Sequence, residues 1–341
     1  MTDILIELCN LAGPSGFEAP VAERVQELLQ PYMDETRIDA LGNVIGVRRC
    51  GKPDAVKLLF DAHIDEPGLI ITGVEEGFLR FAAIGGFDAR MLPASHVRVL
   101  SDPPLDGVVC VLPPHVLKKE DAENALKTEE LFIDVGLSQE QAQKAVPLGT
   151  AAVLASAARR LGDNGFIGKA LDDRAGVYAI LRALELLKDT ELQVDLFVLL
   201  SAQEEVGTRG AGPGAFSVAP DYCVVVDVGH AKTPDTKPHE APCEMGKGVI
   251  ISRGPNMNAR FTDKAVKLAK EHEIPHQIEI EPGGDSGTNA RVIQITREGV
   301  ATALFGIPLK YMHGAFESAA PDDIESAARL LCETAKECGN D

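Results

Sequence analysis

Apolar residues recur along the chain at two spacings, which predict the segments that form helices and strands. Near the start, Ile4, Leu5 and Leu8 follow helical spacing, so we expect a helix over residues 3–11 and a second, amphipathic helix over residues 18–30. The later patterns predict helices at 174–188, 260–272, 286–296 and 321–337 and strands at 193–201, 222–227, 276–280 and 300–305. Because strands alternate with helices, we predict an α/β fold with a mixed central sheet flanked by helices.

A different pattern interrupts this one in the first half of the chain. After Pro67-Gly68, short strand-like pieces such as HVRVL and LFIDVG are separated by Gly, Pro and Asp, and the α/β pattern resumes near Gly168. We therefore predict a main domain of residues 1–66 and 166–341. Residues 67–165 are predicted to form a small inserted domain that is β-rich and similar to a barrel.

The composition narrows the classes of partner and compartment. The 341 residues include 52 acidic and 33 basic side chains, for a formal net charge of -19, which opposes binding to nucleic acid or to an anionic membrane. No apolar run reaches about 18 residues, and no basic leader precedes the first helix. The seven cysteines are scattered and never spaced as Cys-x-x-Cys, which indicates thiols in a reducing compartment. We expect the protein to be cytoplasmic.

One polar cluster follows a buried strand directly. The apolar run at residues 56–60 leads into His63 and Asp65, at the strand end where open α/β sheets bind ligands. His63 can ligate a metal ion through one ring nitrogen while Asp65 accepts a hydrogen bond from the other. Alternatively, His63 has only a structural role, with its ring hydrogen-bonded in the core or at the surface.

Four further segments carry ligand-type side chains beside a strand end, helix start or loop. They contain Asp172-Asp173, Glu204-Glu205, Asp227 and His313. Each also has a structural explanation, since acidic residues often cap helices. Together with His63 these residues provide enough histidine and carboxylate ligands for a site that binds two metal ions. The other histidines have no such carboxylate partners and are interpreted as structural: His96, His115, His230, His239, His272 and His276.

Eight ordered segments carry a resemblance to a known family over nearly the whole chain. They are LCNLAGPSGFE, DAHIDEPG, GKALDDRAG, SAQEEVGTRGA, VVVDVGH, EMGKGVII, PGGDSGTNA and YMHGAFE. The chain resembles the glutamyl aminopeptidase and tetrahedral (deblocking) aminopeptidase family of dinuclear metallopeptidases, M42, some members of which are named endoglucanases. One departure lies at residues 282–289, where the family form places Thr-Asp soon after the glycines.

The resemblance implies a zinc-peptidase-like fold and a set of metal ligands. His63 and Asp227 would bind one metal ion, Glu205 and His313 the other, and Asp172 would bridge both. Two histidines and three carboxylates without a thiolate suit Zn²⁺ or Co²⁺, with Mn²⁺ as a further candidate. The implied cofactors are therefore two divalent ions per subunit.

The resemblance also implies catalytic residues and an assembly. Glu204 would be the general base and Asp65 would orient His63, and the Asp172-Asp173 peptide bond would be cis. The insert would mediate dimers, and the dimers would form a tetrahedral dodecamer.

The implied activity is hydrolysis of N-terminal residues from peptides by a metal-activated water. The alternatives are a metal-dependent amidohydrolase acting on N-acyl amino acids and a non-catalytic metal- or peptide-binding subunit, against which the presence of Glu204 argues. A glycosidase would instead need two carboxylates flanking a sugar and no metal.

Overall fold

The computed structural model describes residues 2–111, 127–237 and 243–339. His115 and His239, which the sequence analysis interpreted as structural, lie outside these ranges. The helices within them are α1 Thr2–Asn10, α2 Ala19–Leu29, α3 Gln139–Ala145, α4 Leu171–Leu186, α5 Ala211–Val218, α6 Ala259–Glu271, α7 Ala290–Ile293 and α8 Pro321–Glu337. Among the described residues, no helix is both long and apolar enough to cross a membrane.

The strands form two separate sheets. In chain order they are β1 Glu35–Ile38, β2 Val44–Arg48, β3 Lys57–His63, β4 Gly68–Glu75, β5 Phe78–Ile84, β6 His96–Val99, β7 Leu105–Cys110, β8 Phe132–Asp134, β9 Ala151–Leu154, β10 Arg159–Leu161, β11 Gly165–Gly168, β12 Asp195–Ser201, β13 Tyr222–His230, β14 Val249–Arg253, β15 His276–Ile280, β16 Ala301–Lys310 and β17 Glu317–Ala319.

The larger sheet is mixed, as the sequence predicts. Its strand order is β1-β2-β12-β3-β13-β16-β17-β11-β10, and β14 and β15 branch from β16. The central strands β12, β3, β13 and β16 are parallel to one another, and antiparallel strands extend the sheet on both sides. Four parallel strands therefore end at one edge, where ligand sites of open sheets lie.

Helices cover both faces of this sheet. Apolar side chains of α1, α2, α4, α6 and α8 form the larger core on one face, and those of α5 and α7 form a second core on the other. The central strands are buried on both faces, which explains why their sequences are apolar runs without alternation, as in VDLFVLL.

The smaller sheet is a closed barrel of order β4-β5-β8-β7-β6-β9, with its own apolar core. Closure leaves no unpaired sheet edge. Its strands lie between residues 68 and 154, whereas β10, inside the predicted insert of residues 67–165, pairs with β11 in the larger sheet. The division into domains at residues 66 and 166 stays a prediction.

A buried ion pair connects the segment just before the barrel with the segment that follows it. Lys169 Nζ lies 2.7 Å from Glu66 Oε1, and both side chains are almost fully buried. Glu66 Oε1 also accepts a hydrogen bond from the Gly13 N–H at 3.0 Å, and the Lys169 N–H bonds the Ser156 carbonyl at 3.0 Å. These contacts tie both ends of the barrel segment to the main sheet.

Two predicted helices differ from the observed ones. The helix predicted over 286–296 shortens to α7, because Ser286 Oγ bonds Asn256 Nδ2 and Thr288 Oγ1, and such side-chain bonds compete with the helix. The helix predicted over 174–188 follows Asp172 and Asp173 directly, but neither aspartate has helical dihedral angles (φ -77°, ψ 107° and φ -116°, ψ 37°). The Asp172-Asp173 peptide bond is cis, as the resemblance implies.

Candidate metal centre

The candidate residues meet at the carboxyl edge of the larger sheet. β3 ends at His63, and β12 ends shortly before Glu204 and Glu205. Asp227 lies in the second half of β13. β16 leads into the loop that carries His313. All of these side chains, with Asp172 at the start of α4, line one cavity of about 440 Å³.

The His63 imidazole is held between two carboxylates. Its Nε2 lies 3.0 Å from Asp172 Oδ1, and its Nδ1 lies 3.4 Å from Asp65 Oδ1. All three side chains are buried. One nitrogen therefore faces the cavity cluster and the other faces a carboxylate behind it, which is the usual arrangement of a metal-ligating histidine.

Asp65 lies behind the cavity and fixes the turn that carries the two glutamates. Its carboxylate accepts hydrogen bonds from Ser15 Oγ at 2.6 Å and from the backbone N–H groups of Glu204 at 2.9 Å and Glu205 at 3.1 Å. Gln203, just before them, has a left-handed φ of 58°. This turn brings two consecutive side chains to one cavity, although neighbours on a straight strand point to opposite faces.

Asp172 lies at the centre of the cluster. Its Oδ1 faces His63 Nε2 at 3.0 Å, and its Oδ2 faces His313 Nε2 at 3.4 Å. The same His313 nitrogen lies 3.3 Å from Glu205 Oε1. The two oxygens of one carboxylate therefore face the two histidines of the site.

Glu317 supports this cluster through the backbone and was not identified from the sequence. It is buried, and its two oxygens accept the backbone N–H of Asp172 at 3.1 Å and that of His313 at 3.0 Å. Burial raises the pKa of Glu317 to about 8. The only signal was its presence in the segment YMHGAFE, because a side chain that acts on backbone groups leaves no spacing pattern.

Asp173 was likewise given no ligand role, yet its carboxylate lies beside Asp227. Ligand atoms of His63, Asp173 and Asp227 lie within 4.8 Å of one another, as do those of His63, Asp172 and Glu205. Asp173 Oδ1 accepts the Gly176 N–H at 3.0 Å. A Cβ at residue 176 would collide with the Asp173 carboxylate, so the glycine of the segment LDDRAG is required there.

The protonation states reflect crowding of carboxylates around two imidazoles. Burial lowers the pKa of His63, but its carboxylate partners outweigh burial and raise this pKa well above its usual value. Hydrogen bonds to Asp172 and Glu205 raise the pKa of His313 to about 11. Burial raises the pKa of Glu205 and, strongly, that of Asp227. The site thus retains protons that a bound cation would displace.

The residues present fit divalent metal ions. Within the described part of the chain, Asp173 Oδ2 is buried without a hydrogen-bond partner, and Glu205 Oε1 and His63 Nδ1 have only the contacts of 3.3 Å with His313 and 3.4 Å with Asp65. Buried polar atoms are ordinarily paired, and oxygen and imidazole ligands without a thiolate suit borderline ions such as Zn²⁺. The oxygens of Asp173 and Glu205 belong to two groups of ligand atoms that both include His63, and an ion in each group would compensate them.

One histidine interpreted as structural proves to lie in the cavity. His230 is exposed at the end of β13 and contributes to the cavity wall. His96, His272 and His276 do not line this cavity: His272 Nε2 lies 3.5 Å from Glu333, and His276 Nδ1 contacts the Ile274 carbonyl at 2.9 Å. The signal for His230 was its position directly after Gly229, in the segment VVVDVGH that also carries Asp227.

The fold and this cluster of buried carboxylates and imidazoles define the class of a metal-dependent hydrolase. The family model described as M42 glutamyl aminopeptidase matches residues 42–330. The chain belongs to this family, and it is a metal-dependent aminopeptidase.

Three relatives illustrate the match. The lysyl aminopeptidase of Pyrococcus furiosus is 35% identical over 334 residues, which cover 96% of this chain and 94% of the relative. The solved TET aminopeptidase of Thaumarchaeota archaeon SCGC AB-539-E09 superposes with a TM-score of 0.93 at 32% identity, covering 99% of this chain and 97% of that one. The Pyrococcus horikoshii TET1 peptidase, which can assemble into a tetrahedron or a large octahedral shell, gives a TM-score of 0.85 at 31% identity, covering 98% and 99%.

Proposed function

We propose that the protein removes residues one at a time from the free N-terminus of peptides by means of two divalent metal ions. One observation carries this proposal: a single cavity brings the His63, Asp172 and Glu205 cluster together with the Glu204 carboxyl group. Among the described residues, the Glu204 side chain makes no hydrogen bond, so it remains available to a substrate or a water.

Our ligand assignment follows the two sides of Asp172. We assign His63 and Asp227 to one ion and Glu205 and His313 to the other, with Asp172 bridging. The contacts of its Oδ1 with His63 and of its Oδ2 with His313 support the bridging role. The donor set favours Zn²⁺ or Co²⁺, and Mn²⁺ is a further candidate.

Glu204 is the proposed general base. When bound, two divalent ions polarise the scissile carbonyl and lower the pKa of a shared water toward ~7. Glu204 accepts the proton of the attacking water and donates it to the leaving amine. Burial raises the pKa of Glu204 to about 7. Asp65 positions His63 and the glutamate turn, and it touches no substrate.

An exopeptidase must also recognise the free amino group of its substrate. The carboxylates around the centre suit an ammonium group, whereas an N-acyl group carries no charge to pair with them. This favours a peptide substrate over an N-acyl amino acid, the substrate of the rival amidohydrolase.

The test compares leucine p-nitroanilide, its N-acetylated form and N-acetyl-leucine, each with metal-loaded and EDTA-treated protein. We expect turnover of the free aminoacyl anilide alone, and loss of that turnover with EDTA. Preferential hydrolysis of N-acetyl-leucine would establish the amidohydrolase instead, and activity that survives complete metal removal would refute the two-metal mechanism.

We further propose a closed homo-oligomer in the cytoplasm. We expect dimers joined through the barrel and arranged as a tetrahedral dodecamer of about 436 kDa for chains of 36.3 kDa. The tetrahedron and the dodecamer described for the TET1 relative support the larger assembly. All seven cysteines are free thiols, which supports a reducing compartment. Light scattering that gives a stable monomer would refute the assembly.

A further inference from the structure

We infer that the aminopeptidase selects a basic residue at the substrate N-terminus, through an acidic wall of the cavity formed by Glu279, Glu281 and Ser252. This inference rests on the proposed function, because the cavity must receive the N-terminal side chain. All three residues line the same cavity as the metal centre.

The acidic wall is built by the two strands that branch from the main sheet. β15 is parallel to β14, and Glu279 is paired in register with Ser252. Successive strand residues face opposite sides, so Ile278 and Ile280 are exposed on the outer face while Glu279 faces the cavity. Glu281 follows at the next position of the same face.

This wall lies close to the proposed ligand Asp227. Gly229 follows Asp227 by two residues on β13, a separation of about 7 Å along a strand. A Cβ placed on Gly229 would lie 3.6 Å from Glu279 Oε2, so the carboxylate is next to the strand that carries the ligand. A long N-terminal side chain that leaves a backbone held at the metal centre therefore meets this carboxylate.

The polar groups of the wall lack partners. Within residues 2–111, 127–237 and 243–339, no hydrogen bond or ion pair involves the side chains of Glu279, Glu281 or Ser252. Ser252 is only 2% exposed, yet it lines the cavity beside Glu279, with which it is paired in register. Ser252 is buried and the two carboxylates are half-buried, and a ligand in the cavity can provide the partners that such groups ordinarily have.

The charges of the cavity favour a cation in this position. Burial, reinforced by the neighbouring Glu281, raises the pKa of Glu279 to about 7. An ammonium or guanidinium group would supply one through a charge-assisted hydrogen bond. The Arg291 guanidinium on the cavity wall is already paired with Asp285 Oδ2 at 2.6 Å, so it neither neutralises the wall nor offers a free cation to an acidic substrate.

The experiment compares kcat/KM for the p-nitroanilides of lysine and norleucine, which share an unbranched side chain and differ in the terminal ammonium group. We expect the unaltered enzyme to prefer lysine by at least about ten-fold, the scale of one hydrogen bond to a charged group. Glu279→Gln should lower kcat/KM for lysine about ten-fold more than for norleucine, and Glu279→Lys should favour the glutamate p-nitroanilide over lysine. Glu271→Gln, which removes an exposed carboxylate on α6, is the matched control and should keep the preference for lysine.

Equal turnover of lysine and norleucine, or a preference for glutamate by the unaltered enzyme, would overturn the inference and leave the proposed function intact. Binding of free L-lysine and L-norleucine to the metal-loaded protein by calorimetry gives a readout without turnover. Tighter binding of lysine that is lost in Glu279→Gln, together with no hydrolysis of any aminoacyl substrate, would support the acidic wall and refute the aminopeptidase mechanism. Failure of both the hydrolysis and the lysine preference would overturn both.

Discussion

The carboxylates behind the metal centre and those of the acidic wall differ in their hydrogen bonding. At the metal centre, Asp65 accepts three hydrogen bonds and Glu317 accepts two from backbone N–H groups. At the acidic wall, Glu279 and Glu281 accept none from side chains or backbone within the described part of the chain. Asp65 and Glu317 thus hold the segments that carry the proposed ligands, since outer contacts orient the groups that bind a metal.

The same contrast separates a general function from a particular preference. Bonds inside the protein satisfy the carboxylates that orient the metal centre, so their positions do not depend on which peptide enters. The carboxylates of the acidic wall can instead pair with a group of the substrate, so the peptides that provide a suitable group should bind best. Substitutions at the metal centre and at the acidic wall should therefore have separate effects.

The largest effect is expected from the Glu204-Glu205 pair. Glu204→Gln keeps size and hydrogen bonding but cannot accept a proton, so turnover should fall by roughly 10²-fold or more while metal content stays normal. Glu205→Gln should instead reduce the metal content, because Glu205 lies 3.3 Å from His313 in the ligand cluster. Atomic emission analysis and steady-state assays of both variants measure the two effects.

The same two variants also test whether the roles of Glu204 and Glu205 are assigned correctly. Loss of metal from the Glu204 variant with a fully loaded Glu205 variant would reverse the two roles. Full activity of the Glu204 variant would exclude it as the base.

A smaller effect is expected from the residue that supports the ligands through the backbone. Glu317→Gln replaces one acceptor oxygen by an NH₂ group, which cannot accept the N–H of Asp172 or His313. Metal affinity should fall about 10- to 100-fold, the usual cost of losing an outer contact of a metal site. Chelator competition measures this affinity, and activity should return at saturating metal.

Glu325→Gln on α8 is the matched control, since that carboxylate bonds Arg182 at 3.0 Å away from the cavity. If both variants bind metal as tightly as the unaltered protein, the backbone contacts of Glu317 do not position the ligands.

The sequence was most informative where chemistry follows a strand end. His63, Glu204 and Asp227 follow apolar runs, and the structure brings all three to one cavity because their strands are parallel. Their individual roles stay predictions. The mixed sheet and a small β-rich, barrel-like module were also correctly predicted, and the module is a closed barrel.

The sequence was uninformative where a contact joins distant segments through the backbone or across branching strands. Glu317 reaches the N–H of a residue 145 positions earlier, which no local pattern reveals. The acidic wall depends on the pairing of β14 with β15, and β14 was not predicted as a strand. The helix predicted over 286–296 was too long because apolar spacing does not register the hydroxyl bonds of Ser286.

The smallest effect, and the sharpest for the acidic wall, is a change of substrate preference with pH. A carboxyl group whose pKa is raised to about 7 is largely neutral below that pH and charged above it, so the attraction of Glu279 for a cation is present at pH 8.5 and lost toward pH 5.5. Burial raises the pKa of the Cys243 thiol to about 12, and Ser252 does not titrate. His230 and Glu281 also line the cavity, and the Glu279→Gln variant separates the effect of Glu279 from theirs. The lysine ammonium, with a pKa of about 10.4, stays charged throughout.

The ratio of kcat/KM for lysine and norleucine p-nitroanilides cancels the protonation steps that both substrates share and reports the free enzyme. We expect this ratio to rise about three- to ten-fold between the two pH values, on the scale of a hydrogen bond to a charged group, and to be nearly flat in Glu279→Gln. A constant ratio in the unaltered enzyme, or an equal rise in the variant, would show that Glu279 does not contact the N-terminal side chain.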